Sequence, residues 1–262
     1  MVRIDTQGGF VHATLDAPAT RNALTDAMVA SLVEACSVAE STPAVRALLI
    51  RGAGGSFCAG GDFSGFRSAM AEAAPAEGLD PIAASNRRFG ALLEQLNTLS
   101  VATIAVVEGA AIGGGCGLAA CCDIVLAAGD AKFAMPEVTL GLPPAQIAPF
   151  VAARLGERAA LHLMLTGRRI DADHALTLGL ADEVLTPEAL DARVADLLNE
   201  LRRAEAAALR ATKAILQRQR AESLSDTLDF ASLAFTAALR SGTAAEGLAA
   251  FAAKRNASWV NS

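Results

Sequence analysis

The stretch VATIAVVEGAAIGGGCGLAACCDIVLAAGDAKFAMPEVTLGLPP, residues 101–144, decides how this chain is organised. It opens on Val101 to Val107, a continuous apolar run of the kind a strand shows when both of its faces are covered. Glu108 and Gly109 interrupt the run, and Gly113-Gly114-Gly115 then forms a tight turn that opens a short helix. Ile124 to Ala127 returns as a strand. Strand, glycine turn, helix and strand in such close succession point to an α/β core with largely parallel pairing. The same glycines and Glu108 break the apolar stretch too thoroughly for it to span a bilayer.

The pattern extends in both directions. Val2 to Leu15 reads as two short strands around Gln7-Gly8-Gly9. Asn22 to Asp26 leads into a helix that runs to about Ser41, with Thr25 as its cap. Val45 to Arg51 is a second buried strand, followed by a glycine-rich loop from Gly52 to Gly61. Alanine, glutamate, proline and glycine dominate Met70 to Ser85, which reads as a surface loop or lid. Phe89, Leu92, Leu93 and Leu96 recur at helical spacing within Asn86 to Leu99. From about Ala189 helical spacing continues almost to the end, which divides the chain into a core, residues 1–190, and a helical region, residues 191–262. Leu224, Leu228, Phe235, Leu239, Leu248 and Phe251 make that region more apolar than a solvated helix requires. The face they form either folds back on the core or meets another subunit, and a homo-oligomer is the favoured reading.

Composition removes several classes of function. The 262 residues are 53% hydrophobic and 19% charged, enough to bury a sizeable core. A formal charge of −6 leaves no basic face for nucleic acid or anionic lipid, and with no Tyr and one Trp there are no stacking surfaces for single strands. The N-terminal residues alternate apolar and polar, without the run of a signal peptide, so a cytoplasmic location is expected. Cys36, Cys58, Cys116, Cys121 and Cys122 form no C-x-x-C pair and no metal-binding set with His12, His162 or His174. They read as reduced, structural thiols, and no metal is expected.

Two glycine loops carry the chemistry. Phe57-Cys58-Ala59-Gly60-Gly61-Asp62 follows one strand and Gly113-Gly114-Gly115-Cys116-Gly117 another. Both leave backbone N–H groups uncovered at possible helix starts, and two such groups aimed at one point would stabilise an oxyanion. Read singly, each loop is equally a set of glycines that permit tight turns. Gly115 to Ala120 also fits G-x-G-x-x-A, but it does not open the chain and Asp130 follows too soon for a dinucleotide fold. No P-loop lysine follows either loop, and no G-x-S-x-G elbow is present.

Four blocks together resemble the crotonase (enoyl-CoA hydratase/isomerase) superfamily along nearly the whole chain. They are RNALTDAM at 21–28, VRALLIRGAGGSFCAGGDFSGF at 45–66, the 101–144 stretch, and LMLTGRRIDADHALTLGLADEV at 163–184. The resemblance implies a spiral of ββα units followed by a C-terminal helical trimerisation region, giving a homotrimer or homohexamer. It implies an acyl-CoA thioester substrate, with coenzyme A carried by the substrate and no separate cofactor. It assigns the oxyanion donors to the N–H groups of Gly61 and Gly114 and the proton chemistry to Glu137. Arg21, Ala59, Phe63 and Lys254 would contact the coenzyme, Lys254 on a neighbouring subunit.

The hydratases of this superfamily use two glutamates, and here the first of the two positions is Gly117. One carboxylate can take a proton from the attacking water and return it to C2. It can also shuttle a proton between C2 and C4, which leaves a Δ3–Δ2-enoyl-CoA isomerase, or an acyl-CoA-binding protein without catalysis, as alternatives. Gly117 together with Gly141 to Phe150 resembles the branch that hydrates methyl- or isoprenoid-branched glutaconyl thioesters, so hydration is preferred. A second carboxylate on the acyl group would call for a cation, and Arg67, Arg87 and Arg88 are candidates. Asp62, Glu108 and Asp123 fit structural roles better than that of a replacement acid.

Overall fold

The computed structural model describes residues 1–71, 78 and 80–260. Strands β1 (Val2–Gln7) and β2 (Phe10–Leu15) form a hairpin whose turn residues Gly8 and Gly9 both take positive φ, as a two-residue hairpin turn demands. Helix α1 (Asp26–Ser41) starts where the Thr25 side chain accepts a hydrogen bond from the Met28 N–H at 3.1 Å. Strand β3 (Ala47–Gly52) follows, then helices α2 (Phe63–Ala71) and α3 (Pro81–Thr98).

Two departures from the sequence reading occur here. The expected loop over Met70–Ser85 gives way to helix at both ends, while residues 72–77 and 79 lie outside the described residues. Helix α3 begins at Pro81 because the Asp80 side chain accepts from the Ile82 N–H at 2.7 Å and proline suits the first helical position.

The spiral is visible in how the next elements alternate. Strand β4 (Ala102–Val107) joins a large sheet, β5 (Ala110–Ile112) a small one, and α4 (Gly114–Cys121) follows. The next turn repeats this with β6 (Ile124–Ala128), β7 (Lys132–Ala134), a 3-10 turn at Glu137–Leu140, and helix α5 (Ala148–Leu155). Helix α6 (Glu157–Thr166), strand β8 (Ile170–Asp171), helix α7 (Ala172–Leu178) and strand β9 (Glu183–Leu185) complete the core. The large sheet has the order β1-β2-β3-β4-β6-β9, parallel from β2 onward; the small one has the order β5-β7-β8.

Alternate residues of the central strands supply two cores. Leu48, Ile50, Ala105, Val107 and Val125 pack toward Met28, Leu32 and Cys36 of α1 and Leu92, Leu93 and Leu96 of α3. Leu49, Ile104, Val106 and Leu126 pack instead toward Leu190 and Leu197 of α8 (Pro187–Arg203). The division at 190/191 therefore falls inside a helix that covers the second face of the sheet. Helix α9 (Ala206–Gln219) is bound to the strand ends by Lys213, whose Nζ reaches the Asp123 carboxylate at 2.6 Å and the Val101 carbonyl at 2.9 Å.

Helices α10 (Leu224–Arg240) and α11 (Thr243–Ala252) keep their apolar face uncovered in the single chain, with Leu233 70% and Phe251 85% exposed. The five cysteines are buried and free, and burial pushes the thiols of Cys36, Cys58, Cys116 and Cys122 up to about 12. Among the described residues, no helix is long and apolar enough to cross a membrane.

Asn22 connects the sheet to the glycine loop. It is fully buried with φ +59°, its Oδ1 accepts from the Ala17 N–H at 2.9 Å, and its Nδ2 donates to the Ala53 and Ser56 carbonyls at 2.9 and 2.7 Å. Asn22→Ala strands three backbone groups, one buried and two half-buried, and puts alanine in a left-handed conformation. The expected loss is about 2–4 kcal/mol in a denaturant titration. A loss under about 0.5 kcal/mol would show that water replaces these bonds.

Candidate active site

The two glycine loops are joined through their backbones. The Cys58 N–H donates to the Ala110 carbonyl at 2.7 Å, and the Ile112 N–H donates to the Cys58 carbonyl at 2.9 Å, so residues 57–59 lie alongside β5 as an extra strand segment. Leu24 N–H to the Gly60 carbonyl, 2.8 Å, and Ala59 N–H to the Arg21 carbonyl, 2.9 Å, hold the first loop from its other side. The approach leaves no room for side chains. A β-carbon on Gly60 would lie 2.9 Å from the Ile112 carbonyl oxygen, and one on Gly115 would lie 2.7 Å from the Cys58 β-carbon.

Each loop then presents one open donor. Among the described residues, neither the Gly61 nor the Gly114 N–H donates a hydrogen bond. Gly114 is the first residue of α4, where the N–H groups have no helical partner and carry partial positive charge.

Glu137 is brought to the same place. Pro136 and the 3-10 turn, closed by Gly141 at φ +76°, present it from the loop after β7. A β-carbon on Gly113 would stand 2.8 Å from its Oε1, so the carboxylate rests directly on the glycine turn. Its Oε2 is buried and has no hydrogen-bond partner among the described residues. Burial raises the pKa of this carboxyl above the ordinary glutamate value, opposed only by a backbone hydrogen bond. A poorly solvated, more basic carboxylate next to two open N–H donors can take up a proton and return it while charge develops on a carbonyl oxygen.

The bare face of α4 is paved from elsewhere. Leu24 and Phe89, both half-buried, lie against Gly114, and Ile147 lies against Gly117. Gln146 beside it donates from Nε2 to the Asn86 Oδ1 of α3 at 2.6 Å. Sequence patterning marks none of these residues as lining, because each contact depends on how separate helices dock.

The other candidates are less concentrated. Arg21 sits next to the site through its backbone and has an exposed side chain; Ala59 is half-buried in the first loop. Phe63 begins α2, and its side chain lies outside the described residues. Lys254 is exposed beyond α11, in the tail, and makes no hydrogen bond to the glycine loops among the described residues. Arg87 and Arg88 pair with Glu94 and Asp26 on the surface, whereas Arg67 is exposed without an ion pair among the described residues. Glu108 pairs with Arg51 at 2.7 Å, and Asp123 accepts from Thr103 and Lys213, so both are committed to the scaffold. No cluster of His, Cys, Asp or Glu suited to a metal ion occurs among the described residues.

The chain is similar along nearly its whole length to known proteins. A sequence profile described as enoyl-CoA hydratase/isomerase matches residues 5–262. The crotonyl-CoA hydratase of Syntrophomonas wolfei is 32% identical over 253 residues, covering 94% of this chain and 93% of its own. An enoyl-CoA hydratase/isomerase from Marinobacter aquaeolei superposes with a TM-score of 0.94 at 41% identity, over 99% of this chain and 98% of its own. AtuE of Pseudomonas aeruginosa superposes with a TM-score of 0.93 at 40% identity, over 99% of both chains.

The raised pKa of Glu137 links to stability. A carboxyl whose folded pKa lies above its unfolded value favours folding at low pH, and that contribution is lost as pH rises through the folded pKa. Glu137→Gln should therefore melt at the wild-type temperature near about pH 4 and at a higher one near about pH 8. A Tm difference constant across that range would mean that Glu137 ionises as an exposed glutamate does.

Proposed function

From the premise that the chain belongs to the enoyl-CoA hydratase/isomerase family and is a hydro-lyase of the enoyl-CoA hydratase type, we propose that it adds water across the 2,3 double bond of its thioester through Glu137 alone. The observation that carries this is the buried Oε2 of Glu137, without a hydrogen-bond partner among the described residues, beside two open N–H donors. The thioester oxygen accepts from Gly61 and Gly114, donors of a kind worth about 3 kcal/mol apiece in other acyl sites. Water attacks C3 and gives one proton to the Glu137 carboxylate. The C2–C3 π pair moves toward the thioester oxygen as an enolate, and Glu137 then delivers its proton to C2, which restores the carboxylate. Ionised Glu137 starts the cycle, so activity rises with pH through its raised pKa.

Coenzyme A belongs to the substrate in this reading, and no separate cofactor takes part. Arg21, on the segment before α1, and Ala59, on the first loop, border the coenzyme, with Phe63 beyond them, and Lys254 reaches it from a neighbouring subunit. A branched glutaconyl thioester is the preferred acyl class, supported by Gly117 and by the Gly141–Phe150 block. Arg67 is the cation left for its second carboxylate, since Arg87 and Arg88 are already paired. The uncovered face of α10 and α11 assembles the chain into a homotrimer or homohexamer, because an apolar patch of this kind is rarely left to solvent.

Loss of the conjugated thioester absorbance on crotonyl-CoA and 3-methylglutaconyl-CoA tests the activity, the faster substrate indicating the acyl class. Glu137→Gln should lower kcat by about 10²–10⁴-fold while coenzyme A binding, read by calorimetry, stays within about threefold. Unchanged turnover in that variant would overturn the assignment of Glu137. Deuterium exchange at C2 and C4 of a 3-enoyl thioester without water uptake would point to an isomerase. Replacing Leu233 and Phe251 together by Glu should shift sedimentation from the oligomer to the monomer, and an unshifted oligomer would rule this face out as the interface.

A further inference from the structure

We infer that Ile147 is a specificity-determining residue of this site: it fills the ground beside Gly117, keeps a second acid out, and leaves the proton traffic to Glu137. The inference rests on the single-glutamate reading and explains what enforces it.

Gly117 lies three and four residues beyond Gly114 and Gly113 on α4, so it shares their helix face. A side chain there would project from the face on which Glu137, Leu24 and Phe89 rest. The space is already taken. A β-carbon on Gly117 would come within 2.8 Å of the Ile147 β-carbon and closer still to its Cγ2. Such a clash with a branch point cannot be relieved by turning a flexible tip, since a β-branched side chain has few χ1 choices.

Ile147 is also anchored. It is 3% exposed and packed in the main core. It caps α5, where its carbonyl accepts from the Val151 N–H at 3.0 Å. Pro143 and Pro144 stiffen the approach, and the Gln146 bond to Asn86 ties the preceding residue to α3. The absence of a side chain at 117 and the presence of isoleucine at 147 are therefore one feature, an interlock between α4 and the start of α5. Reintroducing an acid at 117 requires that the isoleucine be removed as well.

The test is a cycle of Gly117→Ala, Gly117→Glu, Ile147→Gly and the doubles Gly117→Ala/Ile147→Gly and Gly117→Glu/Ile147→Gly, read by melting and by pH-dependent turnover of crotonyl-CoA. Gly117→Ala should lower Tm by about 4–8 °C and turnover by about tenfold, and adding Ile147→Gly should recover much of both. Gly117→Glu/Ile147→Gly should fold and gain a second ionisation in its pH–rate profile, where one is expected for the wild type. A filler of space alone would not produce that second limb. An unchanged Tm in Gly117→Ala, strict additivity in the cycle, or a double with glutamate that keeps a single ionisation would each overturn the proposal. Absence of hydration by the wild type would instead remove the functional reading, and the melting cycle would still decide whether 117 and 147 interlock.

Discussion

The pairing of Cys58 with the backbone of β5 is the constraint on which the rest of the site depends. An oxyanion site made of backbone donors needs two N–H groups, from distant parts of the chain, to be fixed relative to one another before any ligand arrives. Here two hydrogen bonds, at 2.7 and 2.9 Å, set the spacing, and only a few residues separate them from Gly61 and Gly114. The glycines follow from this closeness. Gly60 and Gly115 face backbone or β-carbon atoms at distances no side chain tolerates, so removing them would part the loops. Leu24 and Asn22 bind the outer side of the first loop, which makes the position of Gly61 a property of the large sheet as well as the small one.

Onto this frame the fold places a carboxylate under unfavourable conditions. Half-buried, with one oxygen unpartnered, Glu137 costs the folded protein something whenever it is ionised. Among the described residues no arginine or lysine is paired with it to offset that cost, in contrast to Glu108 and Asp123, which are each satisfied by a cation. The difference separates carboxylates that hold the structure together from one that no such pair holds. Stability given up at such a position is recovered in the two cores on either side of the sheet.

Local signals were the legible ones. The β4–turn–α4–β6 succession, the Thr25 cap and both glycine loops could be read because short-range patterning and backbone requirements set them. The start of α3 was missed although Asp80-Pro81 is a sound helix opening, since it lies in a stretch whose alanine, glutamate and glycine read as loop. The division at 190/191 falls inside α8, whose composition is that of the tail while its Leu190 and Leu197 pack under the sheet. Contacts with Gly114 and Gly117 could not be read at all. Leu24, Phe89 and Ile147 come from three different elements, and nothing in any one segment records the docking that brings them together.

The tail obeys the same logic on a larger scale. Its base is rooted in the core by buried or part-buried cations: Arg46 donates to the Ala204 and Trp259 carbonyls, Arg210 reaches Ser100 and the Ala39 and Thr42 carbonyls, and Lys213 reaches Asp123. Each cation meets carbonyls at strand or helix ends, where unpaired acceptors are concentrated. The beginning of the helical region is thereby fixed to the sheet that positions the glycine loops. The apolar face of α10 and α11 continues from that fixed base, so a partner seated on it would be held in a defined relation to the core.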